Sequence, residues 1–372
     1  CERPLGSVEV IVGINSPANC SAAVKQQTQR TLEEASTWIE FHRDDRFTVH
    51  LLPLPELPPK QAGVGLARKI GMDEAALRFD DIGKLPQGIT VGYDADCRCA
   101  RNYLTAIERH FEENPSSPGC SIHFEHPLTG PLEPRIYDAI AAYELHLRYY
   151  VQALRFTGSP FAFHTIGSCM AVRSGIYLEQ GGMNKRQAGE DFYFLQKIMA
   201  LGGFTNLAGT TVFPSPRVSD RVPFGTGRAV SDFLKTGKLS TYPLQAFLDL
   251  KALFSHLPDL FRTNKFSASD WTKALPESVR SYLAALDSAP ILREIQRNTA
   301  SEAAFQKRFF RWFNGFEAMK FAHHARDHFY GSPAIQEEAT KLWQQLSGSL
   351  PSGPRDSIRD LLADFRQLER LS

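Results

Sequence analysis

The sequence predicts an α/β fold in which helices flank a mostly parallel sheet, followed by a mainly helical C-terminal region. Short apolar segments rich in Val and Ile alternate with longer helical patterns up to residue 93. One of these apolar segments ends in an acidic triplet, Asp94-Ala95-Asp96, as a buried strand does when it delivers carboxylates to a sheet edge. Beyond about residue 230, the pattern becomes helical throughout.

The first part of the chain alternates between strands and helices. In order, the predicted elements are a strand over residues 8–14, a helix over 21–42, a strand over 47–52, a helix over 67–79 and a strand over 89–93. The second strand is expected to end at Pro53, the first of four closely spaced prolines. Ligands of parallel α/β sheets bind beyond the carboxyl ends of the strands. We therefore expect Asn15, the 53–65 loop and the acidic triplet to meet at that edge.

After the acidic triplet, the predicted elements are more widely spaced. They are helices over 102–113, 136–154 and 191–200, strands over 120–124 and 161–172, and an edge strand over 210–214. Seven helical segments follow, over 231–234, 242–257, 276–287, 291–298, 302–328, 334–346 and 356–371. The change of pattern predicts one domain over 1–230 and a helical region over 231–372.

Composition excludes several classes of protein. The 372 residues are 42% hydrophobic and 22% charged, which is typical of a globular protein. A net charge of +1 provides no global field for nucleic acid, and no apolar run is long enough to predict a transmembrane segment. The composition is compatible with a peripheral contact between the protein and a membrane surface. Six scattered cysteines and a start without an apolar signal sequence predict free thiols in the cytoplasm.

Two clusters of acidic residues are candidates for metal binding and for proton transfer. Asp94 and Asp96 provide hard oxygen ligands of the kind that suits Mg²⁺ or Mn²⁺ carrying a diphosphate. Glu190 and Asp191 lie at the start of a predicted helix, where a carboxylate can accept a proton. The alternatives are solvated loop acids for the first cluster and acids that complement the helix dipole for the second.

Basic groups follow the second strand and the 210–214 strand. Arg68, with Lys69, lies at the start of a helix, where an anion can bind. The segment 216–228 combines three arginines with Pro and Gly, so it is predicted to order over a diphosphate with Arg221 or Arg228 in contact. A solvated surface is the alternative for both segments.

Taken together, these segments resemble family 2 glycosyltransferases of the GT-A fold over about residues 7–230. The matching segments are 10–15, 65–71, 94–96, 181–183 and 189–191. The resemblance implies a GT-A-like, Rossmann-type domain and an inverting transferase of the hexosyltransferase type. It also implies a nucleotide-diphosphate sugar as donor and Mn²⁺ or Mg²⁺ as cofactor.

The resemblance also assigns roles to individual residues. Asp96 is expected to be the main metal-binding carboxylate, with Asp94 near the ribose or the metal. Asp191 is expected to be the general base, with Glu190 as its neighbour. Arg68 is expected to contact the donor.

Some features depart from the family pattern, and other functions compete. The usual third metal ligand is not evident, and Asp220 is the proposed substitute. A sugar-phosphate nucleotidyltransferase would need a Gly-rich, Arg-containing loop after the first strand, whereas residues 15–19 contain neither residue type. A non-catalytic module that binds a sugar nucleotide or glycan is the other alternative. The acceptor, whether a glycan, a lipid-linked sugar or a small molecule, is not specified by the sequence.

Overall fold

A computed structural model describes residues 1–185, 189–218, 226–262, 272–347 and 357–371. Within these ranges the chain is an α/β protein. The strands are β1 (Val8–Pro17), β2 (Phe47–Leu57), β3 (Ile89–Gly92), β4 (Arg98–Cys99), β5 (Gly119–Phe124), β6 (Met170–Arg173) and β7 (Thr205–Phe213).

The described helices are more numerous in the C-terminal part of the chain, and the longest ones are in the N-terminal part. In the N-terminal part they are α1 (Ala22–Phe41), α2 (Val64–Asp81), α3 (Tyr103–Glu113), α4 (Pro134–Thr157), α5 (Ser174–Glu179) and α6 (Glu190–Met199). They continue with α7 (Thr226–Thr236), α8 (Leu244–Ser255), α9 (Leu257–Arg262), α10 (Glu277–Ala285) and α11 (Ser288–Arg297). The last four are α12 (Glu302–Trp312), α13 (Gly315–Ala325), α14 (Ile335–Ser347) and α15 (Ile358–Leu371). None of the helices in the described ranges combines the length and the apolar character that a membrane span requires.

The described strands form two sheets. β1 and β2 pair in parallel, and the other five strands follow the order β3-β6-β5-β7-β4. In the larger sheet β5 and β7 are parallel, whereas β6 is antiparallel to both β3 and β5, and β4 is antiparallel to β7. The α/β class is therefore confirmed, and the expected mostly parallel sheet is replaced by a mixed one.

The direction of β6 explains this difference. After α4, residues 158–169 bring the chain to the carboxyl end of β3, where Met170 pairs with Gly92. β6 therefore starts where β3 ends and must run in the opposite direction. An alternation of strand and helix patterns does not give the direction of a strand. It predicts parallel pairing only if each connection crosses back over the sheet, and the sequence does not show whether it does.

Two further element boundaries differ from the prediction for local reasons. β2 continues through Pro53 and Pro55, since it pairs only with β1 in the described structure and an edge strand tolerates missing N–H groups. The helix predicted over 302–328 is broken at Asn314. The Asn314 side chain accepts hydrogen bonds from the backbone N–H groups of Phe316 and Glu317, at 2.9 and 3.2 Å, and so starts α13.

Helix α4 lies at the centre of the largest apolar cluster. Its buried Leu145 and Tyr149 belong to the same cluster as Phe247 of α8, Phe321 of α13 and Phe365 of α15. The predicted boundary at residue 230 falls inside α7, and it stays a prediction. Packing through α4 joins the regions on either side of it.

Candidate functional site

The carboxyl end of β3 is the point where the candidate residues converge. Asp94 and Asp96 follow β3 directly, and Gly167 lies in the turn that precedes β6. A Cβ atom on Gly92 would clash with the carbonyl oxygen of Gly167, so glycine at position 92 lets this turn pack against the strand end. The turn then faces the acidic triplet.

Arg68 of α2 links the two acidic clusters. Its Nη2 donates a hydrogen bond of 2.7 Å to Oδ1 of Asp94, and its Nη1 donates to Oε1 of Glu190. The Arg68 side chain is only 9% exposed, and a Cβ atom on Gly167 would clash with it. Arg68 therefore holds the turn after β3 and the start of α6 together, although they are nearly a hundred residues apart in sequence. Its predicted contact with a donor stays a prediction.

Asp191 is oriented by backbone amides at the start of α6. Its Oδ2 accepts a hydrogen bond of 2.9 Å from the N–H of Gly167, and its Oδ1 accepts one of 2.8 Å from the N–H of Phe192. Gly189 precedes the helix with a φ of 72°, a left-handed conformation that favours glycine. The Asp191 carboxylate is consequently fixed against the turn that packs on β3.

Burial changes the acidity of both carboxylates. The pKa of Asp191 is raised, because burial outweighs the opposing effects of Arg68 and of the two backbone amides. The pKa of Glu190 is also raised by burial, against the opposing charge of Arg68. A helix N-terminus alone would favour the ionised form. The net shift of the Asp191 pKa is nevertheless upward, and it makes Asp191 a stronger base.

Asp96 lies at the open side of the site. Its Oδ2 accepts a hydrogen bond of 2.7 Å from Nε of Arg217, and the two side chains are 39% and 48% exposed. Pairing of β4 with the end of β7, at Arg98 and Phe213, brings the segment after β7 beside Asp96. Arg217, in the segment 216–228, therefore contacts the acidic triplet. It precedes Arg221 and Arg228, whose contact with a diphosphate stays a prediction.

The remaining predicted site residues are Asn15, Asp220, Arg221 and Arg228. Asp220 and Arg221 lie outside the described residues. Arg228 is on α7 and pairs with Asp232 at 3.0 Å. Asn15 is exposed on β1, in the sheet that shares no hydrogen-bonded strand pair with the larger sheet in the part of the chain described.

The acidic residues suit a cation that arrives with a ligand. Among the described residues, no group of three or more His, Cys, Asp or Glu side chains is arranged to hold a metal ion. Asp94 and Asp96 are nevertheless 43% and 39% exposed, and two carboxylates are what Mg²⁺ or Mn²⁺ uses when phosphates provide further ligands. The site also contains more acidic than basic groups. Two arginines lie among four carboxylates, namely Asp94, Asp96, Glu190 and Asp191. The residues therefore fit a divalent cation bound together with a diphosphate.

Several residues near this site were missed in the sequence. Burial raises the pKa of Tyr143 on α4 to about 12, and the charge of Asp191 contributes to the shift. Phe316 of α13 lies 6.2 Å from Phe192 and 5.3 Å from Tyr193 between ring centroids, and all three rings are partly exposed. We call Phe192, Tyr193 and Phe316 the aromatic group. The aromatic group could not be predicted from the sequence, because α6 and α13 are far apart along the chain and meet only through tertiary packing.

A separate cavity of about 490 Å³ lies between α3 and the first half of β7. Its lining includes Asn102, Arg109 and Asn206, and none of the predicted site residues. The acidic triplet lies beside the opposite end of β7, so this cavity is not part of the candidate site.

No protein-family model matches the sequence, and comparison with curated proteins gives no significant match. The function must therefore be inferred from the residues themselves and from the geometry of the site.

Proposed function

We propose that the protein is an inverting glycosyltransferase that transfers a sugar from a nucleotide-diphosphate sugar to an acceptor hydroxyl. The observation that supports this most is the double contact of Arg68 with Asp94 and Glu190. A direct displacement needs the leaving-group site and the base in one cleft, and Arg68 keeps the two acidic clusters together. The reaction class comes from the sequence resemblance, as does the proposed GT-A fold.

On the donor side, Asp96 and Asp94 hold Mn²⁺ or Mg²⁺. When bound, the cation stabilises the negative charge that develops on the departing diphosphate. Arg217 moves from Asp96 to the diphosphate, where a guanidinium group can bind two oxygens. Because an exposed ion pair contributes only about 0–1 kcal/mol, this exchange costs little. Asp220, Arg221 and Arg228 are proposed to complete the donor site.

On the acceptor side, Asp191 accepts the proton of the attacking hydroxyl. Its raised pKa makes proton transfer more favourable than it would be for an ordinary aspartate. The aromatic group lies directly beside Asp191 along α6 and contributes a ring from the C-terminal region. We propose that it binds the apolar face of a sugar ring in the acceptor, because aromatic rings combine a broad apolar surface with a fixed shape.

A non-catalytic module that binds the same nucleotide is the second candidate. The observation in its favour is that both carboxylates of the acidic triplet are paired with arginines, Asp94 with Arg68 and Asp96 with Arg217. Such a protein would bind a nucleotide-diphosphate sugar without releasing the nucleotide.

The test is a screen of nucleotide-diphosphate sugars for slow hydrolysis, which needs no knowledge of the acceptor. We expect at least one donor to be hydrolysed in the presence of Mn²⁺, with loss of activity when the ion is chelated. Binding without nucleotide release, even with a panel of sugar acceptors, would favour the second candidate. Absence of any Mn²⁺-dependent donor binding would contradict both.

A further inference from the structure

Two cysteine sulfurs lie close together beside the candidate site. Sγ of Cys1 is 3.4 Å from Sγ of Cys99, although 98 positions separate the two residues in sequence. Cys1 is exposed, and Cys99 is partly buried at the end of β4. The pair is therefore accessible to a reagent from the side of Cys1.

Backbone hydrogen bonds keep the N-terminal segment, residues 1–6, at this place. The N–H of Glu2 donates to the carbonyl oxygen of Arg101 at 2.6 Å. The N–H groups of Leu5 and Gly6 donate to the carboxylate of Glu108 on α3, at 2.8 and 2.7 Å. Cys99 is held in turn by pairing with Val212 of β7. Hydrogen bonds thus hold the chain in place at both cysteines and keep the two thiols close together.

We propose that Cys1 and Cys99 form a reversible disulfide that fastens the N-terminal segment to the strand after the acidic triplet. A disulfide bond is about 2.05 Å long, so the sulfurs need to approach by about 1.4 Å. This movement is small for an exposed side chain. The proposal is independent of the proposed transferase activity.

A disulfide such as oxidised glutathione is the oxidant. The thiolate of Cys1 attacks one glutathione sulfur, which forms a mixed disulfide and releases one glutathione thiolate. The thiolate of Cys99 then attacks the sulfur of Cys1 and releases the second glutathione. The two protein thiols lose two protons and two electrons, and one glutathione disulfide becomes two glutathione thiols. A reducing thiol reverses both steps.

The other cysteines near β4 are poorer partners. Burial raises the pKa of Cys97 to about 11, with the charge of Asp94 adding to the effect. Burial also raises the pKa of Cys120 to about 12 and raises that of Cys169. Raised pKa values disfavour the reactive thiolate form of these three thiols. The sulfurs that lie within reach of each other are those of Cys1 and Cys99.

The bond forms next to the acidic triplet. Cys99 lies three residues after Asp96, and the N–H of Cys97 between them donates a hydrogen bond of 2.9 Å to the carbonyl oxygen of Asp94. Oxidation of Cys99 fastens this stretch to the segment 1–6. The redox state of the pair is therefore linked to the turn that carries Asp94 and Asp96.

The test is oxidation of the full chain by oxidised glutathione, followed by thiol counting and peptide mass spectrometry. We expect the number of free thiols to fall from the six of the sequence to four, with a Cys1–Cys99 cross-link in the monomer and reversal by dithiothreitol. Oxidation should raise the thermal midpoint by up to about 6 °C, because the bond closes a long loop. The Cys1→Ser variant should lose both effects.

Cys20→Ser is the matched control, since Cys20 is also a free cysteine but should leave the cross-link and the thermal shift unchanged. A cross-link between Cys97 and Cys99, a disulfide between two molecules, or stable glutathione adducts without a Cys1–Cys99 bond would each overturn the proposal.

Discussion

Replacement of Arg68 by Met tests whether this residue joins the two acidic clusters. Met keeps the length and apolar character of the stem but removes both charged hydrogen bonds. Glu190 would then be a carboxylate with a side chain only 3% exposed and without its counter-charge. Removal of one partner from a buried ion pair typically costs about 3–5 kcal/mol.

This free energy converts into a measurable change of the thermal midpoint. At about 2.1 cal/mol/K per residue, the unfolding entropy of 372 residues is about 0.8 kcal/mol/K. A loss of about 3–5 kcal/mol therefore lowers the midpoint by about 4–6 °C. Differential scanning calorimetry of the wild-type and Arg68→Met proteins measures this shift.

Arg78 provides a matched control on the same helix. It also contacts two carboxylates, those of Glu74 at 2.8 Å and Glu9 at 3.1 Å, but its side chain is 35% exposed. Since each exposed pair contributes about 0–1 kcal/mol, the loss of both in Arg78→Met should lower the midpoint by at most about 2–3 °C. Equal shifts for Arg68→Met and Arg78→Met would refute the reasoning.

A second variant and the pH dependence show whether the unpaired Glu190 causes the loss. Glu190→Gln in the Arg68→Met background should recover part of the midpoint, because it removes the buried charge. Without Arg68, the pKa of Glu190 rises further above its ordinary value of 4.5, so the folded state retains a proton that the unfolded state releases. The loss should consequently be smaller at pH 5 than at pH 8.

Three further predictions concern other parts of the molecule. Although burial acts in the opposite direction, neighbouring cationic groups hold the pKa values of Glu125 and Glu369 at about 2. The two carboxylates therefore stabilise the folded state fully above about pH 4.5, and this contribution is lost as the pH falls toward 2. The thermal midpoint should fall over that range, and a constant midpoint would be contrary evidence. Asp191→Asn should reduce transfer by about 10²–10⁴-fold while calorimetry shows unchanged donor affinity; full transfer activity would remove Asp191 as the base. Phe316→Ala should raise the acceptor KM without affecting donor hydrolysis, and Phe316→Trp should restore it; an unchanged KM in Phe316→Ala would exclude this ring from acceptor binding.

Local patterns predicted most of the N-terminal elements. The run at residues 89–93 became β3, and the amphipathic pattern at 191–200 became α6 within one residue at each end. These predictions succeeded because a strand or helix that buries one face has apolar residues at regular intervals in its sequence. The same reasoning placed Asp94 at the end of a strand and Asp191 at the start of a helix.

Strand direction and distant contacts were not predictable in this way. The strand predicted over 161–172 is confined to β6, because residues 161–169 form the approach to the end of β3. The segment expected as an edge strand at 210–214 is part of β7, which lies between β5 and β4. No periodicity records that Gly167 packs against Arg68, or that Phe316 meets Tyr193. These contacts depend on tertiary packing alone.

Calorimetric titration of a nucleoside diphosphate with and without Mn²⁺ tests the central claim most directly. The claim is that the turn after β3 binds a cation together with a diphosphate. The wild-type protein should bind the nucleotide more tightly with Mn²⁺, and Asp96→Asn should lose most of this gain. Asp80→Asn, which changes an exposed carboxylate at the end of α2, should retain it. If Asp96→Asn keeps the full Mn²⁺-dependent affinity of the wild type, the turn after β3 is not the donor site and the account is contradicted.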